Sequence, residues 1–258
     1  MSYYVRRFPH EAQDNGTRSP SNYEIRQSVV QNIQLFVKGP DFSRNQIPLQ
    51  LSPMNYNKFC GGIFETNCYL FKAPQGWILF DAPQGACEWV ESLGIDPKLV
   101  LLTHGHVDHV QDVAKIKRQF RCPIGCHALT APMISDREFF RSFGFELEIE
   151  PAKPDFLIEE TQSRDFLGAE FQVLEVPGHC PGSLCFFLPK DRLLIDGDVL
   201  FAGSIGRGDL PGGDIDLLVQ GIRKKIFPLG DEVTVLPGHG PPTLIGTERR
   251  TNPFVGLE

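Results

Sequence analysis

Apolar and polar positions divide the chain into short segments. From Ile47 onward the pattern is β-like. "GGIFETNCYLFKAPQGWILFDAP" predicts two strands about the turn Pro74-Gln75-Gly76. "ACEWVESLG" predicts a short helix stopped by Gly94, and "LVLLT" (99–103) a buried strand. "HVQDVAKIKRQF" predicts a helix over 109–120 that turns Val110, Val113, Ile116 and Phe120 inward. A further helix is expected over 127–144, ending at Gly144. Strands follow at 171–176, 184–188 and 192–196, with a hairpin among them, then a helix over 214–227 with Asp214 as N-cap and a last strand over 232–236. Upstream, residues 1–22 are polar, with Pro9, Gly16 and Pro20, and read as a loose tail. Over 23–37, Ile25, Val29, Ile33 and Phe36 fit one helical face, although the β-branched content also suits a strand. The expected organisation is an N-terminal extension over 1–45, partly disordered, and a single α/β or α+β domain over 46–258.

Composition narrows the function classes. Hydrophobic residues make up 41% and charged residues 22%, ordinary for a globular protein. A net charge of -7 argues against a nucleic-acid partner. The basic clusters at 222–225 and 248–250 read as solvated helix or tail positions. Seven cysteines, odd in number and irregular in spacing, suit a reducing compartment, with Cys122 and Cys126 as core residues in or beside a strand. The N-terminus lacks an apolar signal core, and no apolar run approaches the ~20 residues that span a bilayer. A cytoplasmic protein without a membrane partner is expected.

The chemistry lies at strand ends. "KLVLLT" precedes His104, "FQVLEVPG" precedes His179, "RLLIDG" precedes Asp198 and "EVTVLPG" precedes His239. Each is an apolar strand, a short turn and then a potential ligand, the place where a rigid sheet presents functional groups. Gly105 lets the loop bend so that His104 and His106 converge, and Asp108 and His109 follow on the turn into the next helix. Pro and Gly before His179 and His239 fix the chain's exit and let backbone pass close by. Packing five imidazoles and two carboxylates together calls for a dication. Seven ligands exceed one tetrahedral ion. Two ions about 3.5–4 Å apart would use them all if a carboxylate bridged, and Asp198 is the natural bridge.

The pattern His104-x-His106-x-Asp108-His109, followed by His179, Asp198 and His239, resembles the metallo-β-lactamase superfamily over about residues 47–252. The resemblance implies an αββα sandwich of two mixed sheets with helices on the outer faces. It implies one metal on His104, His106 and His179, a second on Asp108, His109 and His239, and Asp198 between them. Two divalent ions are expected, zinc first, with iron or manganese as alternatives.

"VPGHCPGSLCF", "DGDVLFAGSIGRGDLPGGD" and "LPGHGPPTLIGTERRTNPF" resemble short bacterial glyoxalase-II-like hydrolases, with Cys180 where threonine is usual. The implied substrate is a small acyl thioester, S-lactoylglutathione first, with Asp108 orienting the attacking water and Asp198 bridging as the catalytic carboxylates. Arg207 and Asp209 read as an ion pair beside the metals. β-Lactamases proper commonly carry cysteine in place of Asp198, which disfavours antibiotic hydrolysis. Only nineteen residues follow His239, so the glutathione contacts that a helical C-terminal domain supplies in full-length glyoxalase II are expected to be missing. The competing readings are a persulfide dioxygenase with one iron on His104, His179 and Asp198, a lactonase, and a binding protein without catalysis.

Overall fold

The computed structural model describes residues 55–139 and 149–256. The tail, the 23–37 segment and the end of the helix expected to reach Gly144 lie outside the described residues. Six strands form the first sheet in chain order: β1 (Tyr56–Gly61), β2 (Thr66–Ala73), β3 (Gly76–Phe80), β4 (Pro97–Leu101), β5 (Ile124–Cys126) and β6 (Phe156–Leu157). β1 to β3 pair antiparallel and the remaining neighbours parallel. The second sheet contains β7 (Thr161–Phe166), β8 (Ala169–Glu175), β9 (Leu184–Leu188), β10 (Leu193–Gly197), β13 (Thr234–Pro237) and β14 (Thr243–Leu244). Its order is β14-β13-β10-β9-β8-β7, with only β10 and β13 parallel. Between its halves in sequence, β11 (Leu200–Phe201) and β12 (Ser204–Ile205) make a small hairpin.

Alternation along the strands builds the layers. Ile78, Phe80, Leu99 and Leu101 meet Phe171, Phe186, Ile195 and Leu236 between the sheets. The intervening Leu79, Val100 and Leu102 face the other way, onto α1 (Ala86–Ser92), α2 (Val107–Val110), α3 (Val113–Phe120) and α4 (Thr130–Ser135). Behind the second sheet, Leu194 and Val235 pack on α5 (Ile215–Gly221), on Ile222 and Ile226 beyond it, and on α6 (Ile245–Thr251). The result is the expected αββα sandwich, with helices covering both outer faces. Among the described residues no helix is long and apolar enough to cross a membrane.

Several elements differ from the sequence expectation. The 109–120 helix is two helices, broken at Gln111 and Asp112. Asp112 is buried because its Oδ2 accepts from the N–H groups of Gly85 and Cys87, at 2.9 and 3.2 Å, at the start of α1. α4 ends at Ser135, since Asp136 turns extended and its side chain accepts from the Glu138 N–H. Asp214 caps α5 as expected, but the helix widens to a π turn over Ile222–Ile226 before Pro228 stops it. Glu248, read as solvated, is buried at 2% exposure and accepts from Gly203 N–H, the Thr243 hydroxyl and the Asn252 amide. Cys122 and Cys126 are buried core residues, and all seven thiols are free.

Candidate metal centre

The strand ends deliver their residues to one place: His104 follows β4, His179 follows β8, Asp198 follows β10 and His239 follows β13. His106 precedes α2, and Asp108 and His109 ride on its short turn. The structure brings all seven side chains together. Ring centroids lie 4.8 Å apart for His104 and His106, 5.1 Å for His104 and His179, and 4.5 Å for His106 and His179. On the other side, Asp108 Oδ2 is 3.3 Å from His239 Nε2 and 3.6 Å from His109 Nε2. Asp198 spans both groups. Its Oδ2 is 3.3 Å from His179 Nε2 and 3.4 Å from His239 Nε2, and its Oδ1 is 3.2 Å from His109 Nε2.

Two glycines make this packing feasible. A Cβ on Gly238 would sit 2.1 Å from Asp198 Oδ1 and 2.6 Å from the His109 ring. A Cβ on Gly178 would meet the backbone of Leu218 at 2.4 Å. Gly105 also leaves room for Met133, whose sulfur would be 2.3 Å from an added Cβ. Cys180 is a buried core residue with Sγ 4.0 Å from Met133 Sδ, and burial pushes its thiol up to about 11.

Four rings are tethered by Nδ1. His104 Nδ1 donates to the Thr103 hydroxyl at 3.0 Å, His109 to Asp81 Oδ2 at 2.8 Å, His179 to the Arg207 carbonyl at 2.8 Å and His239 to the Phe64 carbonyl at 3.0 Å. These bonds aim each Nε2 at the centre. Nε2 of His104, His109 and His179 and Oδ1 of Asp198 are fully buried without a hydrogen-bond partner. Unpaired buried polar atoms cost about 1–3 kcal/mol each, and a dication held by them would offset that cost. The His104-His106-His179 and Asp108-His109-His239 triples each bring one ligand atom per residue within 4.8 Å of the others. Asp81 with His104 and His109 forms a third such triple. That carboxylate meets the Nδ1 side of the His109 ring and is already filled by Thr103 N–H, Thr103 Oγ1 and His109, so it is a support for ligands.

Charge follows the same division. Burial lowers His106 to about 3 and depresses His104 and His179. Burial opposes charge on His239 too, yet Asp198 and Asp108 push it up to about 10. They act likewise on His109, aided by Asp81. Burial also works against ionising Asp198, but His239 and His109 hold its carboxyl well below the usual range.

Asp81, Thr103 and Thr66 were absent from the sequence reading. Asp81 accepts three hydrogen bonds, the Thr103 hydroxyl links it to His104, and the Thr66 hydroxyl donates to Asp108 Oδ2 at 2.7 Å. A signal for Asp81 was present: "WILFD" is an apolar strand followed at once by a carboxylate. The Arg207–Asp209 pair forms, with Nε and Nη2 each 2.6 Å from a carboxylate oxygen.

The family profile described as Metallo-beta-lactamase superfamily matches residues 61–239. The hydroxyacylglutathione hydrolase GloC of Haemophilus influenzae is 34% identical over 204 residues, covering 74% of this chain and 93% of that protein. The crystal structure of BLEG-1 B3 metallo-beta-lactamase aligns with a TM-score of 0.72 at 34% identity, over 78% of this chain and 99% of that one. The structure of TTHA1623 in a di-iron-bound form gives 0.67 at 35% identity, over 77% and 99%.

Proposed function

The chain belongs to the metallo-beta-lactamase superfamily, and from that premise we propose that it is a dinuclear-metal hydrolase of small acyl thioesters, with S-lactoylglutathione the first candidate. The observation that carries the proposal is a pair of ligand triples joined by Asp198, with four buried ligand atoms left without protein partners. His104, His106 and His179 would hold one ion, Asp108, His109 and His239 the second, and Asp198 would reach both. Bound dications supply a water with pKa near about 7 and polarise a carbonyl oxygen.

The protein's own groups orient the reaction. Thr66 fixes one oxygen of Asp108, leaving the other to accept a hydrogen bond from the attacking water and orient it. Asp81 and Thr103 hold the His104 and His109 rings from behind, so they cannot turn away from the centre. Burial of His104, His109 and His179 keeps bulk water from one side and strengthens every charge interaction there. A thioester suits this arrangement because thiolate leaves without needing a proton. The relative from Haemophilus influenzae is named for that chemistry.

One observation favours a second reading. A structure 34% identical to this chain is that of a B3 metallo-β-lactamase, which places a β-lactam among the substrates to be tested. The thioester reading is preferred because a lactam nitrogen must be protonated to leave. The di-iron relative keeps iron beside zinc as a candidate metal. The test is elemental analysis per chain with a panel of thioester, lactone, β-lactam and persulfide, run under air and nitrogen. Thiol release independent of oxygen supports the proposal. Oxygen uptake with persulfide and no thioester cleavage assigns a dioxygenase; cleavage of lactone or β-lactam alone assigns those activities.

A further inference from the structure

The centre is most open beside Asp108 and His239, although His106 in the other triple is also partly exposed. The His239 side chain is 28% exposed and Asp108 16%, against 0% for His109 and 4% for His179. A substrate whose acyl group is small can place that end against the buried His104 and His179 side. Its larger thiol half must then extend past His239 to solvent.

β1 borders this opening. Gly61 at its end pairs with Thr66, the residue that tethers Asp108. Further back along β1, Lys58 reaches across to the loop between β13 and β14, where its ammonium donates to the carbonyl of Gly240, the residue after His239, at 3.1 Å. Asn67 Nδ2 donates to the same carbonyl at 2.9 Å and to Pro237 at 2.9 Å, which fixes that turn. The ammonium has three donors and spends one there. Among the described residues no carboxylate pairs with it. The side chain is exposed, so its remaining donors are open to an anion arriving from solvent. The other cation beside the site, Arg207, is already closed on Asp209. Apolar groups complete the opening. Ile63 is 75% exposed on the turn whose Phe64 carbonyl holds His239, and the Phe201 ring stands edge-on to His239 at 6.0 Å.

We infer that Lys58 anchors a carboxylate carried by the thiol half of the substrate, with Ile63 and Phe201 flanking the chain of atoms between that carboxylate and the sulfur. The inference deepens the thioester reading and rests on it. It makes the substrate class anionic acyl thioesters, in a protein whose net charge of -7 otherwise repels them at long range.

The test compares the S-acetyl ester of 3-mercaptopropionate with the same ester of its amide. In Lys58→Met the KM for the acid should rise about two- to fivefold, as expected of an exposed charge pair, with kcat within about twofold. The amide should be unaffected, and Lys58→Arg should recover most of the loss. Raised ionic strength should shrink the difference between acid and amide in the wild type and not in Lys58→Met. A parallel calorimetric titration uses the S-methyl thioethers of the same acid and amide, which cannot be hydrolysed. Wild type should bind the acid more tightly, and Lys58→Met should bind both alike. Equal KM effects on acid and amide, or equal thioether affinities in the wild type, overturn the inference. If neither ester is cleaved while the thioether acid still binds through Lys58, the thioesterase reading fails and the carboxylate anchor stands.

Discussion

Asp81→Asn is the most informative single change. Asp81 sits at φ 60°, a left-handed conformation that asparagine tolerates. The amide also keeps the volume, so the substitution isolates the hydrogen bonds. One amide oxygen can still accept from the Thr103 N–H, which lies at 2.8 Å. The new NH2 then faces the Thr103 hydroxyl and the His109 Nδ1–H, which both converge on Oδ2, at 2.7 and 2.8 Å. One or two buried donors lose their acceptor, at about 1–3 kcal/mol each. Removing such a support usually weakens metal affinity or activity about 10–100-fold. The expected protein is folded, melts lower, and binds metal about 10–100-fold more weakly in competition with a chromophoric chelator. Alanine would strand all three donors and add about 1–2 kcal/mol of left-handed strain. That approaches the roughly 5–15 kcal/mol of a whole domain, so Asp81→Ala should not accumulate as folded protein. Wild-type metal affinity and turnover in Asp81→Asn would refute the reasoning.

Asp198→Ala should release at least one metal ion and abolish turnover, read by elemental analysis and thiol release; retention of two ions with full activity removes the bridging role. Glu248→Ala strands three donors, so it should cost about 3 kcal/mol or more, roughly 6–12 °C in Tm, a shift visible by calorimetry. Cys60 alone is exposed among the seven thiols, so a thiol reagent should titrate one group in the native protein and seven after denaturation. Burial works against ionising Asp155, but Lys117 and the Ile124 N–H, each at 2.8 Å, hold its carboxyl below the ordinary value. A depressed pKa gives stability that is present above the unfolded value and lost as pH falls through the folded one. Asp155→Ala should therefore destabilise the fold modestly at pH 7, by at most about 1 kcal/mol for so exposed a pair, and the difference should fade below about pH 4.

How much was legible follows from the period of each signal. The seven metal-ligand candidates stood out because four apolar strands each end in a His or Asp, a pattern readable without knowing the fold. Asp81 ends a fifth such strand, but a lone carboxylate without a neighbouring histidine carries no ligand signal; its role comes from Thr103 and His109, 22 and 28 residues away. The break at Asp112 was hidden because Val110, Val113 and Ile116 keep helical spacing across it, while the cause is a long-range cap on α1. Glu248 looked solvated beside two arginines, and only the β11–β12 turn reveals what buries it. Lys58 reads as an ordinary strand lysine until its contact with Gly240, 182 residues away, places it beside His239.

The central claim is a two-metal thioesterase, and a metal titration addresses it most directly. Chelated, folded protein is given zinc in fractional equivalents, and initial thiol release from S-lactoylglutathione is followed at each step. The account predicts a rate that climbs to a plateau at two equivalents per chain. A plateau at one equivalent, or no thiol at any stoichiometry, would contradict it.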